Sequence, residues 1–250
     1  MLPNVPNPFV GVVSLQANNV ELVASSNLVL GESTIKGTMD VTSVTGSITQ
    51  DAPITVRRAS SFTAHTDVVL DKANTFTQAV AVDAVNVSLA AASALKLDTS
   101  TVTGDFTVAT ALGDITQTGP IAVTGKSTIT TTAGSVVLTD ATNSFTGVVD
   151  AQTSANLSLT STGPLTMGKV TAQGNADLKS AGVLNLGQGV YGGKLKANSG
   201  GADILQSGPI KFVGDTDFDA GNAKIDLFNP NNLWTGILTF KGGIIMINHP

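Results

Sequence analysis

A chain that repeats itself can fold only in ways that let each copy pack on the next, and this chain repeats at two length scales. The segment "GDITQTGPIAVTG", Gly113 to Gly125, has counterparts in "GSITQDAPITV" from Gly46 and "GADILQSGPIKFV" from Gly201. Their equivalent isoleucines are Ile48, Ile115 and Ile204, so the second step along the chain is longer than the first. A second landmark, N-x-[FW]-x-[GQ], begins at Asn7, Asn74, Asn143 and Asn232, and its last step is longer in the same way. Two landmarks therefore report one long module. Its copies run approximately over 7–46, 47–113, 114–201 and 202–250, inside one elongated domain that spans 1–250.

The uneven step exposes a shorter unit. Four segments, from Asn19, Asn86, Asn156 and Asn175, align without a gap as N-x-x-L-x-x-x-x-x-L-x-[LM]-[GD], and the last two fall inside the longer module. That module exceeds the ordinary one by roughly 20 residues, a period that marks solenoids, propellers or arrays. One unit of that size is therefore duplicated there. The ordinary module is then three such units and the third module four.

Within the unit, runs such as "SITQ", "LKL" and "LTM" alternate apolar and polar residues, the period of a strand with one buried face. Helical periodicity is absent. Gly, Asn and Pro punctuate the runs every few residues, as turns require. Two or three strands per unit make one coil, which cannot bury its apolar face alone but can do so by stacking. The fold class expected is all-β, a single-stranded parallel β-helix or β-solenoid. It has about 11–12 coils of roughly 20–22 residues, giving a rod on the order of 55 Å long at about 4.8 Å per coil.

Residues then take positions. Ile48, Ile115 and Ile204 should stack inward, as should Ile54, Ile121 and Ile210, and Phe62, Ile129 and Phe218. Thr49 and Thr116 face solvent, and Gln50, Gln117 and Gln206 bond along the stack. The landmark asparagines, Asn7, Asn74, Asn143 and Asn232, fall at corners with Asn19, Asn86, Asn156 and Asn175, because Asn tolerates the left-handed conformation and bonds neighbouring backbone.

Composition removes several function classes. The net charge is −5, charged residues are 12%, and the only arginines are Arg57 and Arg58. No basic patch can neutralise a run of phosphates or coat an anionic membrane, so neither nucleic-acid binding nor membrane association is expected. No run approaches the roughly 20 apolar residues of a spanning helix. Zero cysteines rule out disulfides, thiolate metal sites and a Cys nucleophile, and suit an exported chain.

The order ITQ, then "NSFTG", then "NLSLTSTGPLTMG" with "VTAQG" resembles the repeats of filamentous-haemagglutinin-type adhesins, the exoproteins of two-partner secretion, from Asn7 to about Gly242. That resemblance implies a right-handed β-helix serving as a stiff extracellular shaft, secreted or held at the bacterial cell surface. It implies an outer-membrane secretion transporter for the parent protein and a host-cell or cell-surface receptor or glycan as partner. It carries no catalytic residue and no cofactor. The start "MLPNVPNPFVG" lacks a basic n-region and begins in mid-module, so the chain is read as a fragment or shortened relative.

Against this reading stand a few local features. In "GDTDFDAGNAKID", Asp215, Asp217 and Asp219 alternate along a strand and Asp226 follows after them, close to the spacing of a calcium loop. Ala220 replaces the required Gly, and the plainer account is a solvated face whose Thr residues have become Asp. A β-helical polysaccharide lyase or hydrolase needs clustered carboxylates with a basic clamp. Here Arg57 and Arg58 are adjacent and would point oppositely in a strand, and His65 and His249 stand alone. Trp234 occupies a slot that is Phe in the other copies, which makes it a core residue and not a sugar platform. "STITTT" does not sustain the Thr rows of an ice-binding face. The apolar tail "GIIMINHP" raises one rival, a fibre subunit that associates head to tail.

Overall fold

The computed structural model describes residues 7–248, and among them every regular element is a β-strand. All the pairings between strands are parallel, and each strand meets its counterpart one coil on, as in Leu28 with Ile48, Phe106 with Ser127 and Lys211 with Leu233. The chain is thus a β-solenoid of about 12 coils. Parallel pairing at a separation of one coil is what short strands and tight turns permit when each strand lies over its equivalent one coil below.

Three ladders of strands make three faces. The first begins Val20–Ala24, Met39–Ser43, Ser60–Ala64, Val80–Ala84, the second Leu28–Leu30, Ile48–Gln50, Asp67–Phe76, and the third Ser33–Ile35, Ile54–Val56. Within a strand, alternate side chains enter one continuous core, shown by Met39, Val41 and Ser43 buried while Asp40 and Thr42 face out. The expected inward residues Ile48, Ile115, Ile204, Ile54, Ile121, Ile210, Phe62, Ile129 and Phe218 are all buried.

They do not stack on one another's columns, which corrects the expectation. Ile48 pairs with Leu28 and Val68, Ile115 with Leu95 and Val136, and Ile204 with Leu184 and Ile225, three separate ladders. The longer strands show the same shift. They form the first face down to Val80–Ala84 and move to the second with Asn86–Ala91, Phe106–Thr110 and Ser127–Thr131. They reach the third with Leu157–Ser161, Ala176–Ser180 and Leu195–Asn198. A module is therefore three coils plus one further face, and each copy sits a third of a turn around the rod from the last. The third module is longer by one whole coil, strands Leu157–Ser161 and Leu165–Ala172, which leaves that phase unchanged.

Two corners are built from glycine. Gly104, Gly125 and Gly147 follow one another, as do Gly174, Gly193, Gly214 and Gly236, each placed so that an added Cβ would strike the backbone of the coil below. Their amides continue the coil-to-coil bonding, Gly125 N to Gly104 O and Gly193 N to Gly174 O, both 2.9 Å. Towards the C-terminal coils the core fills with rings: Tyr191, Phe212 and Trp234 stack along one ladder, and Phe218 stacks on Phe240.

Candidate functional site

The two repeated landmarks meet inside the molecule. Asn74, Asn143 and Asn232 are buried, and each binds the glutamine of the preceding ITQ-type segment. Asn143 Nδ2 donates to Gln117 Oε1 at 2.8 Å while Gln117 Nε2 donates to Asn143 Oδ1 at 2.9 Å. The same reciprocal pair joins Gln50 to Asn74 and Gln206 to Asn232. In every copy the asparagine also takes the amide of the first buried Ile (Ile54, Ile121, Ile210) and donates to a leucine carbonyl (Leu70, Leu138, Leu227). The glutamine reaches the carbonyl two positions on, at Ala52, Gly119 and Gly208. This bracket closes the base of an outward excursion, a bulge at 71–73 inside Asp67–Phe76 and loops at 139–142 and 228–231. Buried amides are retained when fully bonded, and these are. The glutamines thus bond along the stack as expected. The three asparagines lie inside the wall and not at exposed corners, and no residue other than glycine has positive φ among the described residues, so the left-handed rationale is replaced by side-chain bonding.

Four other asparagines of the expected set do hold exposed corners. Asn19, Asn86, Asn156 and Asn175 each accept the amide of a residue one coil on, at Thr38, Asp105, Asn175 and Lys194. Asp105, Asp150 and Asp215 do the same to Lys126, Lys169 and Ile237.

Charge gathers on one outer surface, the third face of the later coils. Reading along the rod, one outward column runs Ser158, Asp177, Lys196, Asp217, Thr239 and its neighbour runs Thr160, Lys179, Asn198, Asp219, Lys241. Lys179 pairs with Asp177 at 3.2 Å and Lys241 with Asp219 at 3.0 Å. The Gly221 amide, then Lys241, hold the Asp219 carboxyl below the usual carboxylate range. Asn156, Ser158, Asn175, Asp177, Lys194 and Lys196 line a shallow groove of about 250 Å³ here.

The sequence's calcium candidates divide between surfaces. Asp217 and Asp219 share this face, Asp215 is committed to the Ile237 amide at its corner, and Asp226 lies on Lys224–Leu227 beside Lys224, 3.1 Å away. Among the described residues no group of three or more His, Asp or Glu is placed to hold a metal ion. Arg57 and Arg58 are both exposed in the turn after Ile54–Val56, His65 is exposed, and His249 lies outside the described residues. Trp234 is 7% exposed, a core residue as expected, with Nε1 donating to Asn248 O. Tyr191 is buried and donates to Leu186 O, and burial pushes its phenol far above the ordinary value.

The chain matches the family described as repeats of unknown function (DUF5649) over residues 17–83, 84–152 and 174–241. It belongs to that family. Each DUF5649 repeat here spans three coils and one further face, and the unmatched stretch 153–173 holds the two strands of the additional coil. No curated protein and no solved structure matches the chain.

Proposed function

We propose that this chain is a non-catalytic shaft segment of a secreted or cell-surface bacterial adhesin, spacing or presenting binding surfaces along a stiff rod. The observation that carries the reading is the bracket. Three equivalent sets of a buried Asn and its Gln partner lock one coil to the next, so the repeated residues contribute rigidity. Ladders of parallel strands supply the same property along the whole core, and the coil count sets the reach. The sequence likeness to filamentous-haemagglutinin-type repeats supports the extracellular setting and a dedicated outer-membrane transporter for the parent chain. Protease shaving of intact source cells tests it. Release of fragments of this chain without lysis is expected, and complete protection would overturn the surface location. Incubation with pectins and uronic-acid polymers should release no reducing or unsaturated sugar, and release would restore the lyase or hydrolase reading.

One observation favours a second reading, a self-associating fibre subunit. Ile237, Ile244, Ile245 and Met246 are exposed on or beside the last described strands, an apolar parallel edge of the kind that templates pairing. Light scattering at rising concentration distinguishes it by end-to-end growth.

A further inference from the structure

We propose that the charged third face pairs two copies of this chain side by side and antiparallel. Equivalent outward positions on the preceding DUF5649 repeat, offset as Ile115 is from Ile204, are Ser88, Ala90, Thr107, Ala109, Thr128 and Thr130. On the third face they are Asp177, Lys179, Lys196, Asn198, Asp217 and Asp219, so five of six neutral positions have become charged. Solvation asks only for polarity, which Ser and Thr already supply at four of these six positions. The order of the signs is the informative part.

Consider two copies face to face, related by a two-fold axis along the strand direction, midway between the coils of Ala176–Ser180 and Leu195–Asn198. Asp177 then meets Lys196 of the second copy, and Lys196 meets its Asp177. Lys179 meets Asn198, and one coil further out Ser158 meets Asp217 while Thr160 meets Asp219. No like charges oppose one another. Other placements on these coils oppose like charges or engage fewer coils: an axis between the Asp217 and Thr239 coils opposes Asp219 to Lys241 across two coils only. An axis through the Asp177 coil sets Asp177 on itself, and one through the Lys196 coil sets Asp177 against Asp217. One between the Lys196 and Asp217 coils sets Lys179 against Lys241, and one through the Asp217 coil sets Asp217 on itself. A parallel pair sets Asp217 against Asp219. An isologous contact must be self-complementary, and across four coils this pattern opposes unlike charges without opposing like ones in one register.

Lys196 and Asp217 form no ion pair within the chain among the described residues, so they are available to a partner. Four coils of short strand present about 400 Å² per copy, below the roughly 800 Å² of a standard interface, so the pairing is weak and salt-sensitive.

Sedimentation of the chain at low salt and at about 0.5 M salt tests the idea. Association at low salt that weakens at high salt is expected, whereas apolar end-to-end association would strengthen. Asp177→Lys and Lys196→Asp should each weaken association about tenfold or more, because each opposes like charges. Mixed together, the two variants should associate again, one now carrying cations at both positions and the other anions. Both side chains are outward, so each variant should keep its β circular dichroism. Lys196→Gln, which also weakens pairing, should be rescued only in part by mixing with Asp177→Lys, since one of the two ion pairs re-forms, and covers the case in which Lys196→Asp fails to fold. A parent chain monomeric at millimolar concentration and low salt, unchanged association of either reversal, or no rescue on mixing would overturn the proposal.

Discussion

A single buried amide pair shows how much one residue can carry in this rod. The substitution Asn143→Leu leaves Gln117 without its Asn partner and the buried Ile121 amide without an acceptor. The expected cost is about 2–4 kcal/mol, read as a lower denaturation midpoint, and adding Gln117→Leu should recover part of it because an unpartnered buried group costs more than an absent one. The opposite outcome is expected at Ser60, Ser127 and Thr216, equivalent positions whose buried hydroxyls have no bonding partner. Thr216→Val keeps the shape and removes the orphan, so stability should be unchanged or rise by up to about 1 kcal/mol. Asp150 adds a pH signature. Its partial burial raises the carboxyl, but the Lys126 ammonium and the Lys169 amide outweigh this and hold it below the usual range. A depressed folded pKa stabilises above the unfolded value and is lost as pH falls through the folded one. Asp150→Asn should therefore lower stability near neutrality and flatten its decline on acidification, as followed by urea titrations at several pH values. The sequence displayed all these residues, and their recurrence marked Gln117 and Asn143 separately. Their partnership was not legible, because the pair spans one coil plus an outward loop, a separation that no strand period reveals.

Strands, turns and inward residues were legible at the scale of elements, because period-2 alternation depends only on neighbours along the chain. The angular placement was not. Aligning Ile48 with Ile115 measures distance along the chain, whereas stacking is set by the length of one coil, and the step between those two isoleucines is three coils plus a face. The charged surface was half visible: the Asp run stood out, but the lysines that alternate with it come from separate coils. The coil also defines what may be removed. Deleting residues 157–175 joins Asn156 to Ala176, which lets Ala176–Ser180 pair with Val136–Leu138 as Leu157–Ser161 does now. That variant should fold with native-like β circular dichroism and a rod shorter by about 5 Å in solution scattering. Removing residues 157–166 alone takes away about half a coil, sets the next strands against the wrong face, and should give an insoluble or unfolded chain.

For the whole molecule, the third-turn advance places the three bracketed excursions at different angles around the axis. A solenoid is also nearly one-dimensional: each coil is stabilised by its neighbours, and protection should follow position along the rod. Leu157–Ser161 is bonded on both sides, to Val136–Leu138 and Ala176–Ser180. Ile244–Ile247 pairs only with Lys224–Leu227 among the described residues, and three of its side chains are exposed. Backbone amides of the first strand can exchange only when coils on both sides have opened, while those of the second need only the last coil to fray. Hydrogen exchange read by mass spectrometry should therefore be at least about a hundredfold slower over 157–161 than over 244–247. If a second copy covered the exposed edge end to end, 244–247 would become protected as concentration rises. If copies pair through the charged third face, that strand would stay fast and protection would rise instead at the amides around Asp177 and Lys196. Equal exchange of the two strands at every concentration would mean that the rod opens all at once, and nearest-neighbour stability would not describe it.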